Sequence, residues 1–199
     1  MLMLKVNIGF DDLNLEKEGG LIRKAITLQK HHFPVPIKRI FQPNSGIFFI
    51  QFQFKVNEQD GRLVGVMKNV ADIQAINRVK VNNGANIVKI NPMRDEANDN
   101  MLCYYGTRGL IFYKQCKYEG NDPFKCDDHL IGIELNTRKG ELHFFIDLTQ
   151  QKVFVKGIVE PVKIFGCLYY QSSSFTVVSL KRITAPMSVK IPGERAIEW

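Results

Sequence analysis

Ser45-Gly46-Ile47-Phe48-Phe49-Ile50-Gln51-Phe52-Gln53-Phe54-Lys55-Val56 is the most informative stretch of this chain. Phe48, Ile50, Phe52, Phe54 and Val56 share one parity, while Gln51, Gln53 and Lys55 share the other, which is the period of a half-buried strand. Gly46 ahead of it supplies the positive φ that a tight entry into a hairpin demands. The pattern recurs at Glu141-Leu142-His143-Phe144-Phe145-Ile146-Asp147, where Leu142, Phe144 and Ile146 form the apolar set. These seven apolar positions, from Phe48 to Ile146, are the expected centre of the core.

Working outward, residues 4–10, 21–28, 37–42, 63–68, 86–91, 110–115, 129–135, 153–156, 162–169 and 175–183 read as further strands. Turn-forming clusters separate them: Glu18-Gly19-Gly20, Pro43-Asn44-Ser45-Gly46, Gln59-Asp60-Gly61, Asn82-Asn83-Gly84, Gly120-Asn121-Asp122-Pro123 and Arg138-Lys139-Gly140. About a dozen short strands at close spacing define an all-β, two-layer antiparallel sandwich with little helix, the one helical candidate lying over residues 72–79. Residues 1–185 read as a single sandwich domain. Residues 186–199, which carry Pro186, Pro192 and Gly193, read as an extended C-terminal tail.

The 199 residues suit one core, and a composition of 45% hydrophobic and 11% aromatic residues supplies enough apolar surface to build it. No run approaches the ~18 apolar residues of a spanning helix, and the start of the chain alternates like a strand rather than a secretory signal. The expectation is therefore an intracellular, cytoplasmic protein with no membrane insertion. Cys103, Cys116, Cys126 and Cys167 are too few and too scattered for a disulfide framework and read as reduced thiols. The net charge of +7 is spread out, with no block of ~5 like charges, as on ordinary solvated faces.

In order along the chain, several small motifs resemble the SPRY family of concanavalin-like sandwiches. The Ser45-Gly46 strand comes first, followed by Leu63-Val64-Gly65-Val66, Tyr105-Gly106, and Gly109-Leu110-Ile111-Phe112. Asp128-His129-Leu130-Ile131-Gly132-Ile133-Glu134-Leu135, Lys139-Gly140-Glu141-Leu142-His143-Phe144-Phe145 and Pro161-Val162 complete the series. The resemblance runs from about Leu4 to Ile183. Two positions depart from it: Phe49 stands where the family usually has Trp, and Asp147-Leu148-Thr149 replaces an Asn-Gly turn. These motif residues build the sandwich and are not themselves a site. What the resemblance implies is a non-catalytic interaction module that grips partner proteins through loops, as an adaptor or as a subunit of a larger assembly.

Enzymatic chemistry finds little purchase. Retaining glycoside hydrolysis requires two carboxyl groups ~5 Å apart. Glu141 and Asp147 share a strand face but lie about 20 Å apart along it. Cys126-x-x-His129 has zinc-like spacing and Cys116 and Cys103 lie nearby, yet the second short-spaced pair of a structural zinc site is missing. Neither a metal nor a cofactor is implied.

Loop aromatics are the better candidates. His31 and His32 precede Phe33-Pro34-Val35-Pro36, where two prolines stiffen the segment, so that Phe33 either stays exposed or folds into the core. Tyr104 and Tyr105 stand before Gly106, and Tyr169 and Tyr170 stand before Gln171 and three serines; in each pair strand alternation places one ring inside and one outside. Tyrosine offers a large contact area at low entropic cost. His31, His32, Phe33, Tyr104, Tyr105, Tyr169, Tyr170 and Gln171 are therefore the expected partner-binding surface, at one end of the sandwich, and this end corresponds to the loops that SPRY domains use. Two other classes stay open. A lectin-like glycan site would need a stacking Trp or clustered oxygen ligands, and the single tryptophan is Trp199. Nucleic-acid binding would rest on Lys114, Lys117 and Lys125 near Tyr113 and Tyr118, a spacing that favours solvated strand edges.

Overall fold

The computed structural model describes residues 13–18, 21–28, 30, 32–56, 61–69, 92–93, 99–124 and 127–199. The strand expectations over 4–10 and 86–91, the helix over 72–79, His31 and Cys126 lie outside them. Among the described residues no helix is long and apolar enough to cross a membrane.

The Ser45–Val56 stretch becomes β4 (Ile47–Lys55), and its alternation is the reason it is central. It pairs on one side with β9 (Leu130–Asn136) and on the other with β14 (Ser174–Ile183), both antiparallel. From β14 the larger sheet continues to β2 (Leu21–Thr27) and β1 (Leu13–Glu18). From β9 it continues through β10 (Glu141–Ile146) and β12 (Val153–Lys156) to β15 (Arg195–Glu198), while β11 (Thr149–Gln150) closes a hairpin on β10. The smaller sheet runs in the order β3 (Phe33–Pro36), β13 (Val162–Leu168), β5 (Leu63–Lys68), β6 (Met101–Tyr105), β7 (Leu110–Tyr113) and β8 (Cys116–Tyr118).

The two sheets face each other across one apolar layer. Phe48, Ile50, Phe52, Leu142 and Phe144 are fully buried, Phe54 is 2% exposed and Ile146 8%, as the alternation requires. They meet Val64, Val66, Leu102, Tyr104 and Ile164 of the smaller sheet in one cluster. Gly46 has φ +127°, and Thr137 Oγ1 both accepts its N–H at 2.9 Å and donates to its carbonyl at 2.8 Å, which fixes the entry into β4.

Several elements differ from expectation. Residues 37–42 form no continuous strand; Ile37 donates to the Ile164 carbonyl, Phe41 exchanges two hydrogen bonds with Val162 as an isolated bridge, and the strand is β3, just upstream. β6 had not been expected, because all five of its residues are buried and the chain shows no alternation there. The segment 186–199 is not simply a tail. It ends in β15, which joins β12 in the one parallel pairing among the described strands.

Candidate functional site

Strand directions gather several loops at one end of the sandwich. Leu168, at the end of β13, pairs with Phe33 at the start of β3; Cys167 pairs with Leu63, at the start of β5; and Leu63 pairs with Tyr105, at the end of β6. The start of β14 pairs with β2 at Ile26 and with Lys55 of β4, so the loops of the larger sheet reach the same end.

The centre of this end is an aromatic cluster. The His32 and Tyr169 rings lie 4.6 Å apart at 40°, and the Tyr169 and Tyr170 rings stand edge to face at 4.9 Å and 86°. Lys30 places its ammonium 5.9 Å from the Tyr169 ring centroid and 5.1 Å from that of Tyr170. All three rings are half-buried, each keeping a solvent-facing portion, and Gln171 beside them is exposed. The turn that carries them is tied to β2. Thr27, fully buried, donates its hydroxyl to the Tyr170 carbonyl and its N–H to Ser173 O at 2.9 Å, and the Ser172 N–H returns a bond to Thr27 O at 2.8 Å.

Gly61 forms the floor. Its φ is +89°, and a Cβ there would lie 2.9 Å from Tyr169 Cβ and 3.2 Å from Tyr170 Cδ2, so the tyrosines can rest on the backbone only because the residue is glycine. Next to it, Arg62 is buried and its Nη2 lies 2.5 Å from Asp127 Oδ1, which also accepts the Val56 N–H at 3.1 Å. This ion pair joins the loop before β5 to the loop before β9 beneath the cluster.

The structure thus brings His32, Tyr169, Tyr170 and Gln171 together, with Phe33 pairing through its backbone alongside. Tyr104 and Tyr105 are placed otherwise, and the loop-edge expectation for them is corrected. Tyr104 lies between the sheets against Phe124 and Phe144, with centroids at 5.0 and 5.1 Å, and its hydroxyl donates to Asp122 O. Burial, aided by the Asp122 charge, pushes its phenol far above the ordinary range. Tyr105 is 8% exposed on the opposite face of β6, within a second cluster that includes Phe112 and Phe165. Alternation does send the two rings to opposite faces, but both faces of the smaller sheet are covered at this point.

Lys30, Gly61 and Arg62 escaped the sequence reading as site residues. The Gln59-Asp60-Gly61 turn signalled only a change of direction, and nothing in the chain couples it to residues 169–170. Trp199 is not offered on a strand face: its ring stacks on Tyr113 at 5.1 Å and 3°, and its indole N–H donates to Glu160 at 2.9 Å. Cys103, Cys116 and Cys167 are free thiols, and burial holds the Cys103 thiol far above its ordinary pKa despite a backbone hydrogen bond with Phe112.

Two packed sheets, with loops gathered at one end, define a two-layer all-β sandwich. Solved structures narrow it. The chain is similar to the PSpry domain of TRIM65 (TM-score 0.60, 9% identity, 89% of each chain covered). It is also similar to the SPRY domain of human HERC1 (0.52, 14%, 88% of this chain and 97% of that one) and to a further human SPRY domain (0.55, 8%, 87% and 98%). The fold of this chain is therefore SPRY-like. No protein-family model matches the sequence, and no curated protein does.

Proposed function

We propose that this protein is a non-catalytic interaction module that takes hold of a partner protein at the end of the sandwich formed by Lys30, His32, Tyr169, Tyr170 and Gln171, serving as an adaptor or as a subunit of a larger assembly. One observation carries the reading: half-buried rings, pre-positioned by Gly61 and by the Thr27–Ser173 hydrogen bonds, present amphipathic contact surface at little entropic cost. The SPRY-like fold supports it, since loops on a rigid sandwich vary without disturbing the core. Against a catalytic alternative, Glu141 and Asp147 stand at opposite ends of β10, beyond the reach of a shared substrate bond.

The test is capture of partners from a native extract at physiological salt with the intact chain, identified by mass spectrometry. Tyr170→Ala is expected to weaken the principal partner by ~2 kcal/mol, about thirtyfold, at unchanged melting temperature. Lys117→Ala, on β8 and remote from the cluster, should bind normally. A Tyr169→Ala, Tyr170→Ala double variant that retains the partner at full affinity defeats the proposal.

A further inference from the structure

Glu134 is an anomaly on the larger sheet. Its neighbours Ile133 and Leu135 point into the core, so Glu134 projects from the outer face of β9, where a carboxylate ordinarily meets water. Instead it is fully buried, and among the described residues no cation forms an ion pair with it. What it meets is the chain's own segment 187–188. Oε2 accepts the Met187 N–H at 2.5 Å and the Ser188 N–H at 3.2 Å, while Oε1 accepts the Ser188 hydroxyl at 2.5 Å and the Ser188 N–H at 3.3 Å. A buried carboxylate without a cation is tolerable only when such donors saturate it.

Gln150 extends the arrangement by one residue. Its Oε1 accepts the Val189 N–H at 2.8 Å and its Nε2 donates to the Val189 carbonyl at 2.8 Å. A side-chain amide that pairs with both backbone groups of one residue imitates a neighbouring strand. The clamp thus reads three consecutive residues through backbone N–H and C=O groups and one hydroxyl. The apolar side chains contribute little, since Met187 is 41% exposed and Val189 64%. The contacts that hold 187–189 would hold any extended segment with a small hydroxyl residue at its centre, whereas an acidic or phosphorylated centre would set like charges against Glu134.

We propose that Glu134 and Gln150 form a second peptide-binding site, on the outer face of the larger sheet, which takes an extended segment centred on serine and which residues 187–189 occupy in cis. The occupant is held by polar contacts with little apolar burial, so it exchanges with an incoming segment of the same chemistry. Its advantage is the tether, which presents it at roughly millimolar effective concentration. This site is independent of the aromatic cluster.

The test uses the full chain and, as probe, a synthetic peptide with the sequence of residues 185–191, followed by NMR at up to millimolar peptide. Ser188→Glu places a second carboxylate against Glu134 and is expected to speed amide exchange at 187–189 while β4 and β9 stay protected. The peptide then shifts the Glu134 and Gln150 resonances of this variant at concentrations at least tenfold below those the unmodified chain requires. Adding Glu134→Ala, or using the phosphoserine form of the peptide, abolishes the shifts. Met187→Pro, which deletes one donor without adding charge, provides a second released chain should Ser188→Glu fold poorly, and the same peptide response is expected of it. The proposal is overturned if released chains show no shift at Glu134 and Gln150, if the unmodified chain binds equally well, if the phosphoserine peptide binds as tightly, or if both variants keep the amides of 188 and 189 fully protected.

Discussion

Leu148 holds a backbone conformation that few leucines adopt. It has φ +68° and follows Asp147 at φ +48° in the two-residue turn between β10 and β11, and its side chain is 58% exposed. Two successive positive φ values are the signature of a type I′ hairpin, for which Asn-Gly is the preferred pair. Here Asp147 compensates: Oδ1 accepts the Leu130 N–H at 2.8 Å and Oδ2 lies 2.5 Å from His129 Nδ1. Partial burial pulls the Asp147 carboxyl upward, but these two contacts prevail and hold it below the usual carboxylate range. A left-handed leucine costs about 1–2 kcal/mol, part of which glycine would give back through its looser unfolded chain. Leu148→Gly is therefore expected to stabilise the fold by about 0.5–1 kcal/mol, read as a higher urea midpoint at unchanged slope. An unchanged or lower midpoint would show that the turn carries no strain. In the sequence, the replacement of Asn-Gly by Asp147-Leu148 was visible, but the side-chain clamp that makes it workable was not, since Leu130 begins another strand and His129 just precedes it.

Among the elements, β4 announced itself because Phe48, Ile50, Phe52 and Phe54 face the core while Gln51, Gln53 and Lys55 turn away from it, and β10 because Leu142, Phe144 and Ile146 keep the same parity, although its outer face is covered as well. β6 did not, because Met101-Leu102-Cys103-Tyr104-Tyr105 is covered on both sides, and a uniform apolar run has no period to detect. β15 was hidden for another reason: four residues beyond a Pro-Gly pair become a strand only because β12 offers its edge. The end cluster was legible in part. Aromatics beside turn residues pointed to Tyr169 and Tyr170, whereas Lys30 and Gly61 join them only through folding. β10 also carries a pH dependence. His143, 6% exposed, stacks on Phe154 at 4.5 Å and 8°. Burial lowers its pKa below 6.5, outweighing the nearby Glu134, Glu141 and Glu194 carboxylates. The unfolded chain therefore takes up this proton first. The stability that neutral His143 contributes is complete above pH ~6.5 and declines as pH falls below that value. Chemical denaturation across pH 7.5 to 5 should show this decline, and His143→Gln should flatten it. An identical slope in the variant assigns the effect to other groups.

For the whole molecule, the seven core positions read from alternation share one apolar layer, and truncating the middle of it is the most direct check. Phe144 is fully buried and contacts Tyr104 across the sheets, so Phe144→Ala is expected to cost ~3–5 kcal/mol and to reduce soluble yield. Wild-type melting would mean that the layer is not continuous. The order of strands in the larger sheet has a further consequence. β4 is flanked by β9 and β14, with Ile47 opposite Ile183, so the central strand gains its second neighbour only from a segment far downstream. During synthesis, which adds residues from the N-terminus at about 5–20 per second, β4 leaves the ribosome with both sides unpaired, gains β9 first, and keeps its other side open for several seconds more until β14 follows. Over that interval β4 presents an open backbone edge together with an apolar face of Phe48, Phe52 and Phe54, the combination that chaperones and aggregates both recognise. The nascent chain is thus most vulnerable before residue 183 emerges, and slower elongation across residues 137–183 should lengthen that exposure.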